Sequence, residues 1–380
     1  MIFFVISGYA LSYKPIKVSR QGRYDELSSA LASSIFRRHP RLFMPAILVT
    51  FCTAILTWLG AFGTEGWGGV AIASRQPPRF DNLWDQLSNW SRTMIGAMDP
   101  LGRDMFRGGT QYDPNLWTLP IEFDSSLVIF LCLAAFSRLS NRVRMLFTFA
   151  VAFYAEYYTF YPVFLFMAGM FICEIRMSCD ERAGAAASSD NSVLPSWAEK
   201  PRGWLSRLTR RVTKNSLLRT VLGLTSFVGA VYVLSMPEVH RGAGQSPGFM
   251  TLTSLIPSQF GNAPDNFWLP IAAAWLVLTV DHAKFLQILF TNSFAQYLGR
   301  ISFALYLVHG PLLWTLGFVL GKKCLDIVGN TSNESYVLAM AFAAALWWPV
   351  AIYVADLTQR FVDAQCVNFS KWAYDRLAKR

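Results

Sequence analysis

Long apolar runs alternate along this chain with short polar stretches in which basic residues collect. A helix rises 1.5 Å per residue, so about 20 apolar residues cross a hydrocarbon core about 30 Å thick. Runs at 42–62, 116–136, 145–160, 162–176, 217–235, 267–281, 302–320 and 336–356 reach or approach that length. The opening MIFFVISGYALSYK adds a shorter one, giving nine segments. All are predicted helical, because lipid offers no partner to an unpaired backbone group. The expected fold is an all-α polytopic transmembrane helix bundle. "YYTFYP" at 157–162 places a Tyr cluster and Pro162 between two runs, which predicts a tight helical hairpin.

Some connections carry their own pattern. From Asp25 to Arg38, Leu27, Leu31 and Ile35 recur at four-residue spacing, which suits an amphipathic helix on the inner membrane surface. Residues 181–203 are low in complexity and read as a flexible cytoplasmic linker. "GAGQSPG" at 242–248 neither follows a strand nor opens a helix, so it is a turn and not a nucleotide loop.

Composition sharpens the class. With 53% hydrophobic and 15% charged residues, the chain falls well below the charge of about 25% usual in soluble domains. The net charge of +10 would fit a nucleic-acid partner, but its placement argues for membrane topology instead. Loops 14–41, 137–144, 177–216 and 282–301, the tail 357–380 and Arg176 hold 25 Lys and Arg; loops 63–115, 236–266 and 321–335 hold 8. The first set is expected in the cytoplasm. Sequons at Asn89, Asn330 and Asn333 fall on the other side, and one at Asn368 falls on the tail. The six cysteines show no CxxC or His-paired spacing and read as packing residues, so no metal site is expected.

An ionisable side chain inside a span asks for a partner or a function. Glu122 stands seven positions into the second long run, just after Pro120, and Asp124 points to another side of the same helix. Glu122 is either solvated at the interface or a carboxylate that orients a base or binds a hydroxyl. His309 is the only histidine deep in a predicted span, and imidazole exchanges protons near neutral pH. It is either a general base or a buried packing histidine. His39, His240 and His282 lie in loops or at helix ends and are set aside. Arg37, Arg38 and Arg41 cluster before the span at 42–62. They can fork onto donor phosphates, or simply mark the inner face against anionic lipid.

Four stretches together resemble the acyltransferase 3 family of integral membrane acyltransferases in its fungal form: "FFVISGYALS" (3–12), "FRRHPRLFMPA" (36–46), "LWTLPIEF" (116–123) and "LGRISFALYLVHGPL" (298–312), with "VADLTQRFVD" (354–363) matching its C-terminal boundary. The resemblance implies that residues 1–363 form about nine membrane segments, the first partial, of a ten-helix family fold, followed by a basic cytoplasmic tail at 364–380. It implies transfer of an acyl group, often acetyl, from acyl-CoA as co-substrate to a hydroxyl of a carbohydrate, lipid or natural product, with no bound cofactor. By motif match, Arg38 and Arg41, with Arg37, handle the donor, and Glu122 and His309 line the acceptor path. Asp124 departs from the family pattern. Two rival functions remain at this point: a proton-coupled transporter, against which stands the lack of an inverted repeat, and a non-catalytic remnant of the same fold.

The resemblance also explains the opening stretch. A signal peptide carries its positive charge before the apolar core, whereas here Lys14 follows it. About thirteen residues reach only about 20 Å. The stretch is therefore expected to be the cytoplasmic end of the family's second helix, with Ser7 and Gly8 allowing close helix approach. The chain is then N-terminally truncated, and the family's first-helix Arg and His have no counterpart in it.

Overall fold

The computed structural model describes residues 1–62, 76–99, 110–189, 216–239, 242–329 and 332–378. Among them the architecture is helical, and the sole strand-like feature is an isolated bridge between Thr110 and Asp113. In chain order the helices of eight or more residues are α1 (Ile2–Arg20), α2 (Tyr24–Trp58), α3 (Leu83–Met98), α4 (Thr118–Ala135), α5 (Asn141–Tyr157), α6 (Tyr161–Ser189) and α7 (Ser216–Leu234). They continue with α8 (Asp265–His282), α9 (Lys284–Thr291), α10 (Ser293–Leu312), α11 (Phe318–Val328), α12 (Asn333–Thr358) and α13 (Ala364–Leu377). A π-type turn joins α10 to α11 and another joins α12 to α13.

Six helical segments are long and apolar enough to cross a membrane, and a seventh if α8 and α9, bent by 98°, count as one span. Large apolar side chains lie exposed along α7 and α12, among them Leu217, Leu224 and Val228, and Val337, Phe342 and Leu346. Facing lipid, they cost nothing. Together the spans make this an integral membrane protein with an all-α, polytopic fold.

The chain divides into two compact units, residues 1–31 with 125–292, and residues 32–124 with 293–380. In the first, α1 packs closely on α6. A Cβ added to Gly8 would lie 2.1 Å from the Phe166 carbonyl oxygen, and one added to Gly169 would lie 2.1 Å from that of Val5. Only hydrogen side chains allow backbones so near. A buried charge network ties the same region together: Glu174 accepts from both Arg20 and Arg144, and Arg20 also donates to Ser178 Oγ at 3.0 Å. A lone buried carboxylate would be costly, and two guanidinium groups offset that cost. The hairpin between α5 and α6 turns within three residues, with Thr159 at φ 62°.

In the second unit, α3 is anchored on α2 by Trp90 Nε1, which donates to Thr50 Oγ1 at 3.1 Å. Helices α11 and α12 share an apolar core of Cys324, Ala339 and Ala343.

Every predicted apolar run has a helix, but several boundaries are corrected. Residues 25–38 are no separate surface helix; they open the 35-residue α2, which also contains Pro40 and Pro45. The opening helix runs 19 residues through Pro15 to Arg20, beyond the thirteen expected. Residues 284–291 and 293–301, read as loop, are helical, and so is the tail from Ala364 to Leu377. The flexible linker at 181–203 begins as helix, since α6 extends to Ser189; its remainder lies outside the described residues. The cause is common to all. Hydropathy marks where a helix crosses lipid, whereas helix ends follow backbone hydrogen bonding, which polar side chains do not interrupt. Helix α3 was hidden in the loop at 63–115, although its Asn82 cap, which accepts from Trp84 N–H at 3.0 Å, is a start signal.

Candidate active site

The polar groups of the second unit gather around three pieces: the middle of α2, the turn leading into α4, and the end of α10. The turn is built by sequence-local rules. Asp113 precedes Pro114 and caps the short 3-10 turn Pro114–Trp117, its Oδ1 accepting from the Asn115 N–H at 3.0 Å. A capping carboxylate satisfies a donor that the first turn leaves orphaned, and proline at the next position needs no partner. The preceding Tyr112 is fully buried, and its hydroxyl donates toward Asn89 Oδ1 at 2.9 Å while accepting from Gln86 Nε2 at 2.9 Å. Asn89, one of the predicted sequons, thus uses its carboxamide inside the fold. His240 and the Asn330 sequon lie outside the described residues.

Glu122, in the second turn of α4, is buried and paired with Arg38 of α2, whose Nη2 stands 2.7 Å from Glu122 Oε1. Both side chains are nearly inaccessible, at 10% and 5% exposure. Asp124, two residues on, is only half-buried. Next to Arg38, the His39 ring packs between Phe43 and Phe123 at 4.7 and 5.2 Å, and its Nε2 lies 3.3 Å from the Met98 carbonyl of α3. The three arginines of the cluster therefore separate. Arg37 donates to the Ser33 carbonyl of its own helix at 3.1 Å, Arg38 is committed to Glu122, and Arg41 is exposed.

His309 lies near the end of α10, partly buried. Its Nδ1 is 2.6 Å from the Tyr306 carbonyl oxygen one turn back. A carbonyl only accepts, so Nδ1 carries the hydrogen, and in the neutral ring Nε2 keeps a free lone pair. Tyr306 in turn donates its hydroxyl proton to the Asn115 carbonyl, while Thr118 Oγ1 lies 2.5 Å from the Tyr306 hydroxyl oxygen. Tyr306 and Asn115 thus link the helix of His309 to the turn that starts α4. At Gly310 the two pieces touch: an added Cβ would lie 2.9 Å from both Asp113 Oδ1 and Asn115 Nδ2. Burial pushes the Asp113 carboxyl up to about 7.

The predicted residues Arg38 and Glu122 are thus brought into direct contact, and His309 is tied to the turn before Glu122. Ser7 and Gly8 belong to the other unit, at the α1–α6 contact. Sequence reasoning missed Asp113, Asn115, Thr118 and Tyr306. The Asp-Pro pair was a legible cap signal, and Tyr306 shares a helix face with His309 at i, i+3 spacing; nothing in the sequence pairs either with the other.

Fold and site define an integral membrane helix bundle that places ionisable and hydroxyl groups within its second unit. The comparisons with known proteins give that class its chemistry: the acyltransferase domain of the acyltransferase 3 family matches residues 1–354, and the chain belongs to that family. It is 46% identical over 389 residues to O-acetyltransferase PaAT-1 of Phomopsis amygdali, an alignment covering 100% of this chain and 74% of the relative. It is 24% identical to acyltransferase R4 of a Phoma species, covering 95% of this chain and 77% of that one. The same identity holds for acyltransferase clz18 of Cochliobolus lunatus, with coverage of 97% and 79%. No solved structure matches the chain.

Proposed function

We propose that this membrane acyltransferase moves an acetyl group from acetyl-CoA to a hydroxyl of a carbohydrate, lipid or natural product. The observation that carries the reading is the whole-chain similarity to a protein named an O-acetyltransferase. The geometry at His309 suits such a reaction. With Nδ1–H held by the Tyr306 carbonyl, Nε2 accepts the proton of the acceptor hydroxyl. The oxygen attacks the thioester carbonyl, the carbon–sulfur bond breaks, and the coenzyme A thiolate leaves and takes up a proton. Arg37 and Arg41 hold donor phosphates, with Arg38 beside them, and Glu122 fixes Arg38 while lining the acceptor path. The basic loops and the C-terminus then face the cytoplasm, where acyl-CoA is available.

The test is transfer of radiolabelled acetyl from acetyl-CoA in membranes expressing the protein. Loss of a general base is expected to lower the rate by about two to four orders of magnitude in His309→Ala. Full activity in His309→Ala would remove His309 from the mechanism. Absence of any coenzyme A-dependent transfer with a panel of hydroxyl acceptors, in protein that folds normally, would overturn the functional reading.

A further inference from the structure

The first unit holds a groove, separate from the residues invoked for catalysis, that nothing in acyl transfer requires. It lies where α7 and α8 pack side by side, at the bend into α9, and encloses about 540 Å³. Its walls are apolar, formed by Ile175 of α6, Leu222 of α7, Trp275 and Leu278 of α8, and Phe285 of α9. A small residue shapes it: a Cβ at Gly223 would come within 3.0 Å of the Phe285 ring. The hydroxyls inside are satisfied by one another, with Trp275 Nε1 donating to Ser226 Oγ at 2.8 Å and Ser226 Oγ 2.8 Å from Thr279 Oγ1.

The charges are all at one end. Arg219, in the first turn of α7, and Lys284, the first residue of α9, both line the groove and are exposed, as is His282. Among the described residues neither Arg219 nor Lys284 has a hydrogen bond or ion pair. No carboxylate among the described residues lines the groove. The neighbouring Asp281, which is not in the lining, sits 3.9 Å from Arg176 and 3.6 Å from His282. That cationic end is also the end of two spans, because α7 starts there and α8 finishes there. The 98° bend turns α9 away from the α8 axis, and α9 buries Leu286 while exposing Ile288, Leu289 and Phe290. A short helix with that pattern, set across a span end, suits the headgroup layer.

We propose that this groove binds an anionic phospholipid, its phosphate held between Arg219 and Lys284 and an acyl chain laid along Leu222, Leu278 and Trp275. Basic clefts between spans at the membrane interface recognise acidic headgroups through this combination of cations and apolar wall. The largely apolar lining favours a lipid over a free phosphate, which would leave most of the groove unfilled.

The experiment uses the full chain in nanodiscs of phosphatidylcholine with and without phosphatidylserine, reading by native mass spectrometry the lipid that stays bound. The wild-type protein is expected to retain phosphatidylserine preferentially. Arg219→Ala with Lys284→Ala is expected to lower that preference roughly thirty-fold, at about 1 kcal/mol for each cation near the surface. The double variant's thermal unfolding in phosphatidylcholine alone should match wild type, since both side chains are exposed and, among the described residues, unpaired. The proposal is overturned if the double variant keeps the preference, if wild type shows none, or if inorganic phosphate at equal concentration displaces the lipid. Gly223→Leu provides a second reading: by filling the groove it should displace the acyl chain with both cations present. Unchanged retention in that variant would equally sink the lipid assignment.

Discussion

Replacing Glu122 by Gln tests the energetic logic at the centre of the second unit. At 2.7 Å from Arg38 Nη2, the carboxylate contributes about 6 kcal/mol of attraction at an effective dielectric constant of about 20. Desolvating each ion costs several kcal/mol, so the intact pair is close to balanced. Removing one charge unbalances it, because Arg38 stays buried with its cost uncompensated, and about 3–5 kcal/mol of stability should be lost. Gln keeps an oxygen that accepts from Arg38, which sets the expectation near 3 kcal/mol for Gln and near 5 kcal/mol for Ala. The assay is denaturant unfolding of purified protein in detergent, followed by tryptophan fluorescence. Its control is Glu122→Leu combined with Arg38→Met, which removes both charges and should recover most of the loss. If Glu122→Gln lies within about 0.5 kcal/mol of wild type, or the double variant is no better than the single, the reasoning fails.

Two further outcomes probe packing and titration. Gly8→Ala forces α1 away from the Phe166 carbonyl and should cost about 1–3 kcal/mol, whereas Gly96→Ala in α3 meets nothing within 4 Å and should be neutral or gain about 0.5–1 kcal/mol; equal melting temperatures for the two variants would refute the close contact. Asp113 is raised from 3.8 to about 7 by burial, so between those values the folded state binds more protons than the unfolded one. Stability should therefore fall as pH rises through that window. Asp113→Asn keeps the cap on Asn115 but loses the titration, and its unfolding midpoint should depend less on pH than that of wild type. A steeper dependence would count against the assignment.

The sequence alone determined the class. Apolar runs of membrane length and a scarcity of charge leave a helix bundle as the one way to satisfy the backbone in lipid. The motifs around Arg38, Glu122 and His309 pointed to the family, and the whole-chain comparisons bear that out. Helix ends were less legible: α2 begins at Tyr24 and α10 at Ser293 because hydrogen bonding carries a helix through polar residues that hydropathy discounts. What only the tertiary structure decided is partnership. Arg37, Arg38 and Arg41 look equivalent in sequence, yet helical periodicity turns one to its own backbone, one into the core and one to the surface. Glu122 and Arg38 are 84 positions apart, and Tyr306 meets a carbonyl 191 positions away. No local pattern encodes such contacts, because they exist only after helices from distant parts of the chain have been packed side by side.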